Sequence, residues 1–262
     1  MVGVRLRTDG QGRRRGMDDL FEKRIGELFS RASDRGIFVF TPFLSPSEQA
    51  ETVRICGKKN VCFFGGADFA ERKIARFGDP EELGYEEFPP VALLKVVCTA
   101  GKFASPLTHR DYLGAVLRLG IEREAVGDIF VDGGTSYLVT TEKPAETVLR
   151  ELARVGRERV EVFRAEEIPS DLRPKTEERE IVVSSFRADA VVCAVWNLPR
   201  SEGQKLTEKE ALSADGKILL SGAKELKAGT VVTARGHGKF IVGEAVGKTK
   251  KGNYVLKVSV FV

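Results

Sequence analysis

VALLKVVC (residues 91–98), THRDYLGAVLRLG (108–120), DIFVDGGTSYLVTT (128–141), PAETVLRELARVG (144–156) and VEVF (160–163) follow one another through the middle of the chain. The first is a nearly continuous apolar run of strand length. In the second, Thr108 stands where a cap belongs, Asp111 lies three positions on, and Gly120 ends the helix. In the third, Gly133-Gly134 separates two strand-like runs and signals a hairpin. The fourth is a helix with Pro144 in its first turn and Gly156 after its end. With Val160–Phe163 as a last strand, the order β-α-β-β-α-β predicts a ferredoxin-like domain over 88–165, two helices on one face of its sheet.

Working outward, Pro89-Pro90 marks a boundary, and residues 17–80 read as a small α/β domain. Its expected elements are a helix from Asp18, a strand at Ile37–Phe40, a helix opened by Ser45-Pro46, a strand at Val61–Phe64 and a helical piece at Ala70–Phe77. Residues 1–16, rich in Gly and Arg without periodicity, are expected to be disordered. Residues 166–180 are polar and hold two prolines, which predicts a linker. A third unit fills 181–262, with helices at Asp189–Val195 and Arg200–Leu212 and short strands after them. The whole is α+β. RNA-recognition domains share the ferredoxin-like order, but their stacking aromatics are missing here at the usual positions, so the fold alone does not import their function.

Charge is uneven. The chain carries a net +4, and residues 182–262 hold 13 Lys and Arg against 7 Asp and Glu, leaving the remainder slightly acidic. A basic module on a neutral body is the footprint of polyanion binding. No run approaches the roughly 18 apolar residues of a membrane helix, and a cytoplasmic location is expected. The four cysteines, Cys56, Cys62, Cys98 and Cys193, are scattered and never form CxxC. Reduced thiols are the expectation, with no metal site and no cofactor.

Catalytic motifs are absent from the linear sequence. His109-Arg110-Asp111 resembles a kinase catalytic loop, but the position five after Asp111 is Val116 rather than Asn, and no phosphate loop accompanies it. Thr108 and Asp111 are better read as a helix start, with His109 and Arg110 left as a possible secondary phosphate contact. No nucleophile sits in a recognisable context.

Four clusters in the last unit point instead to RNA. Arg187 lies just before a helix that Asp189 can cap. Arg200 opens the next helix, with Gln204 and Lys205 one turn on. Arg235, His237 and Lys239 alternate with glycines in a turn, and Lys248, Lys250 and Lys251 crowd a hairpin tip. Guanidinium groups at helix N-termini suit phosphate oxygens.

The segment Phe186–Phe240 resembles the αL-motif RNA-binding domain named after small-subunit ribosomal protein four. Arg187-x-Asp189, Arg200, Gln204-Lys205-Leu206, Gly216 and Gly229 match its pattern. Ala188, Pro199, Gly203 and Thr230 depart from it; both arginines are kept. From about residue 20 onward the chain is similar to the bacterial YlmH family. The shared pieces are Phe43-Leu44-Ser45-Pro46-x-Glu48-Gln49, Gly65-Gly66-x-x-x-Ala70-Glu71-Arg72, Leu107–Ala115, Leu119-Gly120-Ile121-x-Arg123 and Gly127-Asp128-Ile129. That resemblance implies a ribosome-associated factor that binds the large subunit and tRNA, some members serving the rescue of stalled subunits. With catalytic motifs absent, the expectation is a non-enzymatic, monomeric factor that binds rRNA and tRNA. The alternatives are an RNA-modifying enzyme, of pseudouridine synthase or methyltransferase type, and a protein-interaction module. Residues 18–165 show neither a Gly-rich cofactor loop nor a catalytic Asp in the required context.

Overall fold

In the computed structural model, which describes residues 10–101 and 105–262, the chain divides into two compact units on either side of Leu172–Arg173.

The first unit begins with α1 (Gly10–Arg35), followed by β1 (Val39–Leu44), α2 (Pro46–Cys56), β2 (Val61–Phe64) and β3 (Lys73–Phe77). The strands form an antiparallel sheet in the order β1-β3-β2. Ile25 and Ala32 of α1 pack on Val39, Leu44, Ala75 and Phe77. Ser45 starts α2 through a reciprocal cap: its backbone N–H donates to the Glu48 carboxylate at 2.6 Å, and the Glu48 N–H donates back to Ser45 Oγ.

Two expectations fail here. The extension expected to be disordered is helical from Gly10 on, while residues 1–9 lie outside the described residues. Once the Ile25 turn is anchored, each further residue adds one hydrogen bond at little cost, and Arg13–Arg15 are good helix formers. The helical piece expected at Ala70–Phe77 is the central strand β3. Ala70, Ile74 and Phe77 fall at helical spacing, but both faces of β3 are covered, Ala75 and Phe77 by the α1 core and Ile74 by the cluster with Val139, so nearly every residue of it is buried and no alternation survives. Among these buried residues is Arg76, whose guanidinium lies 4.9 and 5.1 Å from the rings of Phe38 and Phe64 and pairs with Glu86. Glu86 follows a short helix, α3 (Pro80–Leu83).

The rest of this unit runs β4 (Val91–Cys98), α4 (His109–Arg118), β5 (Val126–Asp132), β6 (Thr135–Thr141), α5 (Glu142–Glu151), β7 (Arg154–Val155) and β8 (Glu158–Ala165). The sheet order is β5-β6-β4-β8-β7. Gly133, at φ 53°, supplies the left-handed turn that brings Asp132 opposite Thr135. Ala92, Leu94, Val96 and Cys98 face the helices and pack on Tyr112, Val116 and Val148. On the other face Val139 joins Phe43, Ile74 and Ile168 in one core cluster, with Leu93 packed against it. The segments 17–80 and 88–165 therefore share buried side chains.

The second unit contains β9 (Thr176–Val183), α6 (Ala188–Val195), α7 (Arg200–Glu208), β10 (Leu212–Ala214), β11 (Lys217–Ile218), β12 (Val231–Ala234), β13 (Gly238–Lys248) and β14 (Tyr254–Phe261). Its six-stranded sheet has the order β11-β10-β12-β13-β14-β9. Val191, Val192, Val195 and Leu206 of the two helices pack on Leu212, Phe240, Leu256 and Val258. Residues 166–180 are not all linker: β9 pairs with β14 from Thr176 onward. It is an edge strand, so Glu177, Glu178, Arg179 and Glu180 can stay exposed while only the backbone is engaged. The second helix ends four residues earlier than expected, because Glu210 takes φ 52° and Leu212 enters β10.

Candidate nucleic-acid interface

Arg187 is the N-cap of α6, not Asp189, and its side chain makes no cap hydrogen bond. The start of α6 is held from outside. The Ala188 N–H donates to the Lys224 carbonyl at 2.8 Å, the Asp189 N–H to the Gly222 carbonyl at 3.0 Å, and the Ala190 N–H to Asp189 Oδ1 at 2.8 Å. These first-turn amides are committed within the protein, so at α6 only the guanidinium is left to meet an anion. Asp189 holds that guanidinium: Arg187 Nε donates to Oδ1 at 3.1 Å and Nη2 to Oδ2 at 2.6 Å. The hydrogen bond from Arg187 depresses the Asp189 carboxyl, and the same bond raises the Arg187 guanidinium. Asp189 is thus a positioning residue whose own charge would repel phosphate.

Glycine permits this arrangement. A Cβ on Gly203 of α7 would stand 2.6 Å from Cys193 Sγ and 3.1 Å from the Asp189 carbonyl oxygen. The departure at Gly203 from the αL pattern is what lets α7 lie against α6. In consequence Arg200 comes beside Arg187. Ser185, Arg187, Asp189, Ala190, Arg200 and Gln204 line an open depression of about 280 Å³. Arg200 makes only a 3.4 Å contact to Ser184 Oγ and is the less engaged of the two cations.

The other expected site residues fall into two further groups. Lys248 Nζ lies 4.8 Å from the Tyr254 ring, and Tyr254 lies 4.7 Å from Phe186, the residue before Arg187. Lys250 and Lys251 are exposed at the turn just beyond, closed by the Thr249 N–H donating to the Asn253 carbonyl at 2.8 Å. The lysine hairpin is thereby tied to the rim of the depression by two rings in contact, tilted 44° to each other. His237 stands apart from it, its ring 5.8 Å from Trp196. Arg235 is exposed in the same turn, and Lys239 lies 5.4 Å from the Phe261 ring. Lys205 turns along α7 to Glu202 at 2.7 Å. Sequence reading missed Phe186, Trp196 and Tyr254; of the three, Phe186 adjoins a basic residue, Arg187, while Trp196 and Tyr254 meet theirs only through the fold.

His109 and Arg110 lie in the first unit. Thr108 donates both its N–H and its hydroxyl to Asp111, at 2.8 and 2.7 Å, so the His-Arg-Asp triplet is a helix start. Arg110 is exposed. The His109 ring is exposed too, yet partial desolvation, followed by the nearby Arg123 charge, pushes it below its ordinary value. Behind it the shared motifs converge. Asp128 accepts the backbone N–H groups of Glu71 and Arg72. The Arg72 guanidinium donates to the Phe43 carbonyl at 2.8 Å and to the Val126 carbonyl at 3.1 Å, and Arg123 donates to Val126 as well. Burial pushes the Asp128 carboxyl up and both guanidinium groups down. Gln49 adds a 2.7 Å bond to the Glu71 carbonyl. These residues hold the first unit together.

Among the described residues, no cluster of His, Cys, Asp and Glu could hold a metal, and no helix is long and apolar enough to cross a membrane. The fold and site define a mixed α/β protein of two units, one carrying an arginine-lined depression beside a lysine hairpin. The chain belongs to the YlmH family. It is 31% identical over 219 residues to the ribosome-associated protein quality control protein P2 of Bacillus subtilis (strain 168), covering 82% of this chain and 84% of that relative. Residues 85–168 match the family model described as "Putative RNA-binding domain in YlmH". Among solved structures, the cell division protein ylmH from Streptococcus pneumoniae is similar at 17% identity and a TM-score of 0.47, covering 62% of this chain and 96% of that one.

Proposed function

We propose that this protein is a non-enzymatic, monomeric, cytoplasmic factor that binds rRNA or tRNA on the large ribosomal subunit and serves the rescue of stalled subunits. In this reading residues 88–165 are a ferredoxin-like domain and the second unit is an αL-motif RNA-binding domain. One observation carries it: Arg187 and Arg200, from two helix starts, open into one depression next to exposed lysines. Two guanidinium groups that share an open cleft with a glutamine amide can bind one phosphate and hydrogen-bond its neighbour. The relative's name, with ribosome association and quality control in it, supports the setting. Cosedimentation of the full chain with large subunits tests the reading. The wild-type chain should travel with them in a salt-sensitive way, and the Arg187→Glu/Arg200→Glu double variant should stay at the top of the gradient while keeping its circular dichroism. A double variant that sediments like wild type at every salt concentration sinks the assignment.

A further inference from the structure

The open face of the five-stranded sheet is a different surface. Alternation along β4 sends Ala92, Leu94, Val96 and Cys98 to the helices, and Val91, Leu93, Lys95 and Val97 to the other side. At one end of that side Leu93 and Val139 are covered, with a Cβ on Gly66 only 2.9 Å from Leu93. At the other end the cover stops. There Phe163 and, at the edge of the cover and packed against the Phe43–Ile168 cluster, Tyr137 stand in register on either side of Lys95. Phe163 is 50% exposed, Tyr137 is half-buried, and Lys95 Nζ lies 6.0 Å from the Tyr137 ring. Two strand spacings put the rings roughly 10 Å apart. Toward the β7 edge, Arg154 and Arg159 are register partners on the same face, since their neighbours Val155 and Val160 belong to the helix-side core. Glu161 and Asp132 are the acidic groups there, so the cations prevail near Phe163. The sequence alone hid this row, because its two rings are separated by 26 residues.

We infer that this face binds unpaired RNA bases, Phe163 and Tyr137 stacking on them while Lys95, Arg154 and Arg159 meet the backbone. Flat rings between cations suit single strands, whose bases are free to stack; a duplex hides those faces. This rests on the reading that the chain binds RNA and adds to it a second surface, inside the stretch that matches the family's RNA-binding model.

The test uses the full chain and a single-stranded RNA of about ten nucleotides carrying 2-aminopurine, a length within the usual site size. The wild-type chain should quench the probe. Phe163→Ala should weaken binding about tenfold or more, the loss of one stacking ring, and Tyr137→Ala less. Phe163→Tyr and Tyr137→Phe should restore wild-type quenching. A wild-type chain that cosediments with large subunits but leaves the probe unquenched overturns this inference and leaves the proposed function standing. A chain that binds neither overturns both. Alanine variants that lose ribosome association yet quench normally would put a protein on this face and overturn it as well.

Discussion

Arg72 and Arg123 in the first unit and Arg187 and Arg200 in the second all lie in stretches that carry the family resemblance, yet they meet opposite surroundings. The first pair is drawn inward: Arg72 is spent on the carbonyls of Phe43 and Val126, Arg123 on that of Val126, and Asp128 fixes the backbone beside them. The second pair faces an open depression, with Arg187 held by one carboxylate and Arg200 touching a single hydroxyl. Family motifs thus mark two kinds of arginine. Exposure, rather than the number of donors engaged, tells them apart: Arg72 and Arg123 are half-buried and desolvated against backbone carbonyls, whereas Arg187 and Arg200 are exposed and can turn their donors to a ligand.

The largest effect should come from breaking the inward set. Asp128→Ala leaves the amides of Glu71 and Arg72 without their acceptor and brings Arg72 and Arg123 together uncompensated. We expect a loss of about 2–4 kcal/mol in the stability of the first unit, as for removing one partner from a buried charged network. Denaturant unfolding measures it. The slope of RNA affinity against salt should not change; a reduced slope would place these arginines on the nucleic acid and erase the contrast.

The outward pair should respond the other way. Arg200→Glu is expected to cost roughly tenfold or more in RNA affinity at fixed salt and to flatten the salt slope by about one phosphate, with unfolding unaltered. Arg187→Glu should weaken binding too, but it also sets a second carboxylate against Asp189, so it alone of the two should lower the unfolding midpoint of the second unit, and only slightly. Equal unfolding midpoints for the two single variants would show that the Arg187–Asp189 pair contributes nothing.

How much of this was legible in the sequence depended on whether the signal was local. Thr108 with Asp111, Ser45 with Glu48 and Gly133-Gly134 are short-range devices, and the elements they start or turn stand where their residues say. Strand β3 was misread because burial on both sides erased its alternation and left apolar residues at helical spacing. Strand β9 was misread because an edge strand needs only its backbone, so Thr176–Glu180 looks like linker. At the site, Arg187, Asp189, Arg200 and Gln204 were picked out by motif and do line one depression. The role of Asp189 was not readable: capping and fixing an arginine call for the same residue type, and only the folded chain shows the Lys224 and Gly222 carbonyls taking the first two amides while Asp189 accepts from Ala190 and holds Arg187.

A smaller effect should separate residues within the second unit. Lys205 was expected to share the RNA site, but its ammonium is engaged by Glu202 at 2.7 Å, a pairing that raises the lysine and depresses the glutamate. Lys205→Ala should change RNA affinity less than about twofold, within the range of an exposed pair. Gln204→Ala, on the wall of the depression, should cost more. Filter-binding titrations of the two variants side by side decide it, and the reverse ranking would move the site along α7 toward Trp196 and His237.

The subtlest way to sharpen the comparison is with acid, because the two key aspartates are shifted in opposite directions. Asp189 is depressed, chiefly by the hydrogen bond from Arg187, so its contribution to stability is complete above the ordinary aspartate value of about 3.9 and is lost as pH falls through its lower folded value. Asp128 is raised, chiefly by burial, so the folded state binds its proton more readily than the unfolded chain does. Its ionisation costs stability as pH climbs from the ordinary value to the raised folded one, and that cost is relieved on acidification. Other carboxylates, Asp111 and Glu158 among them, are depressed and add their own acid lability, so the comparison must be made between each wild-type aspartate and its asparagine variant. On this account Asp189→Asn should shrink the loss of second-unit stability on acidification. Asp128→Asn should make the first unit more acid-labile relative to its own neutral value, because the compensating proton uptake is gone. Unfolding followed by tryptophan fluorescence of Trp196 for the second unit, and by hydrogen exchange of the β5–β6 amides for the first, reads the two separately. If both variants change acid stability in the same direction, burial does not dominate at Asp128, and its amide and guanidinium partners outweigh the loss of water.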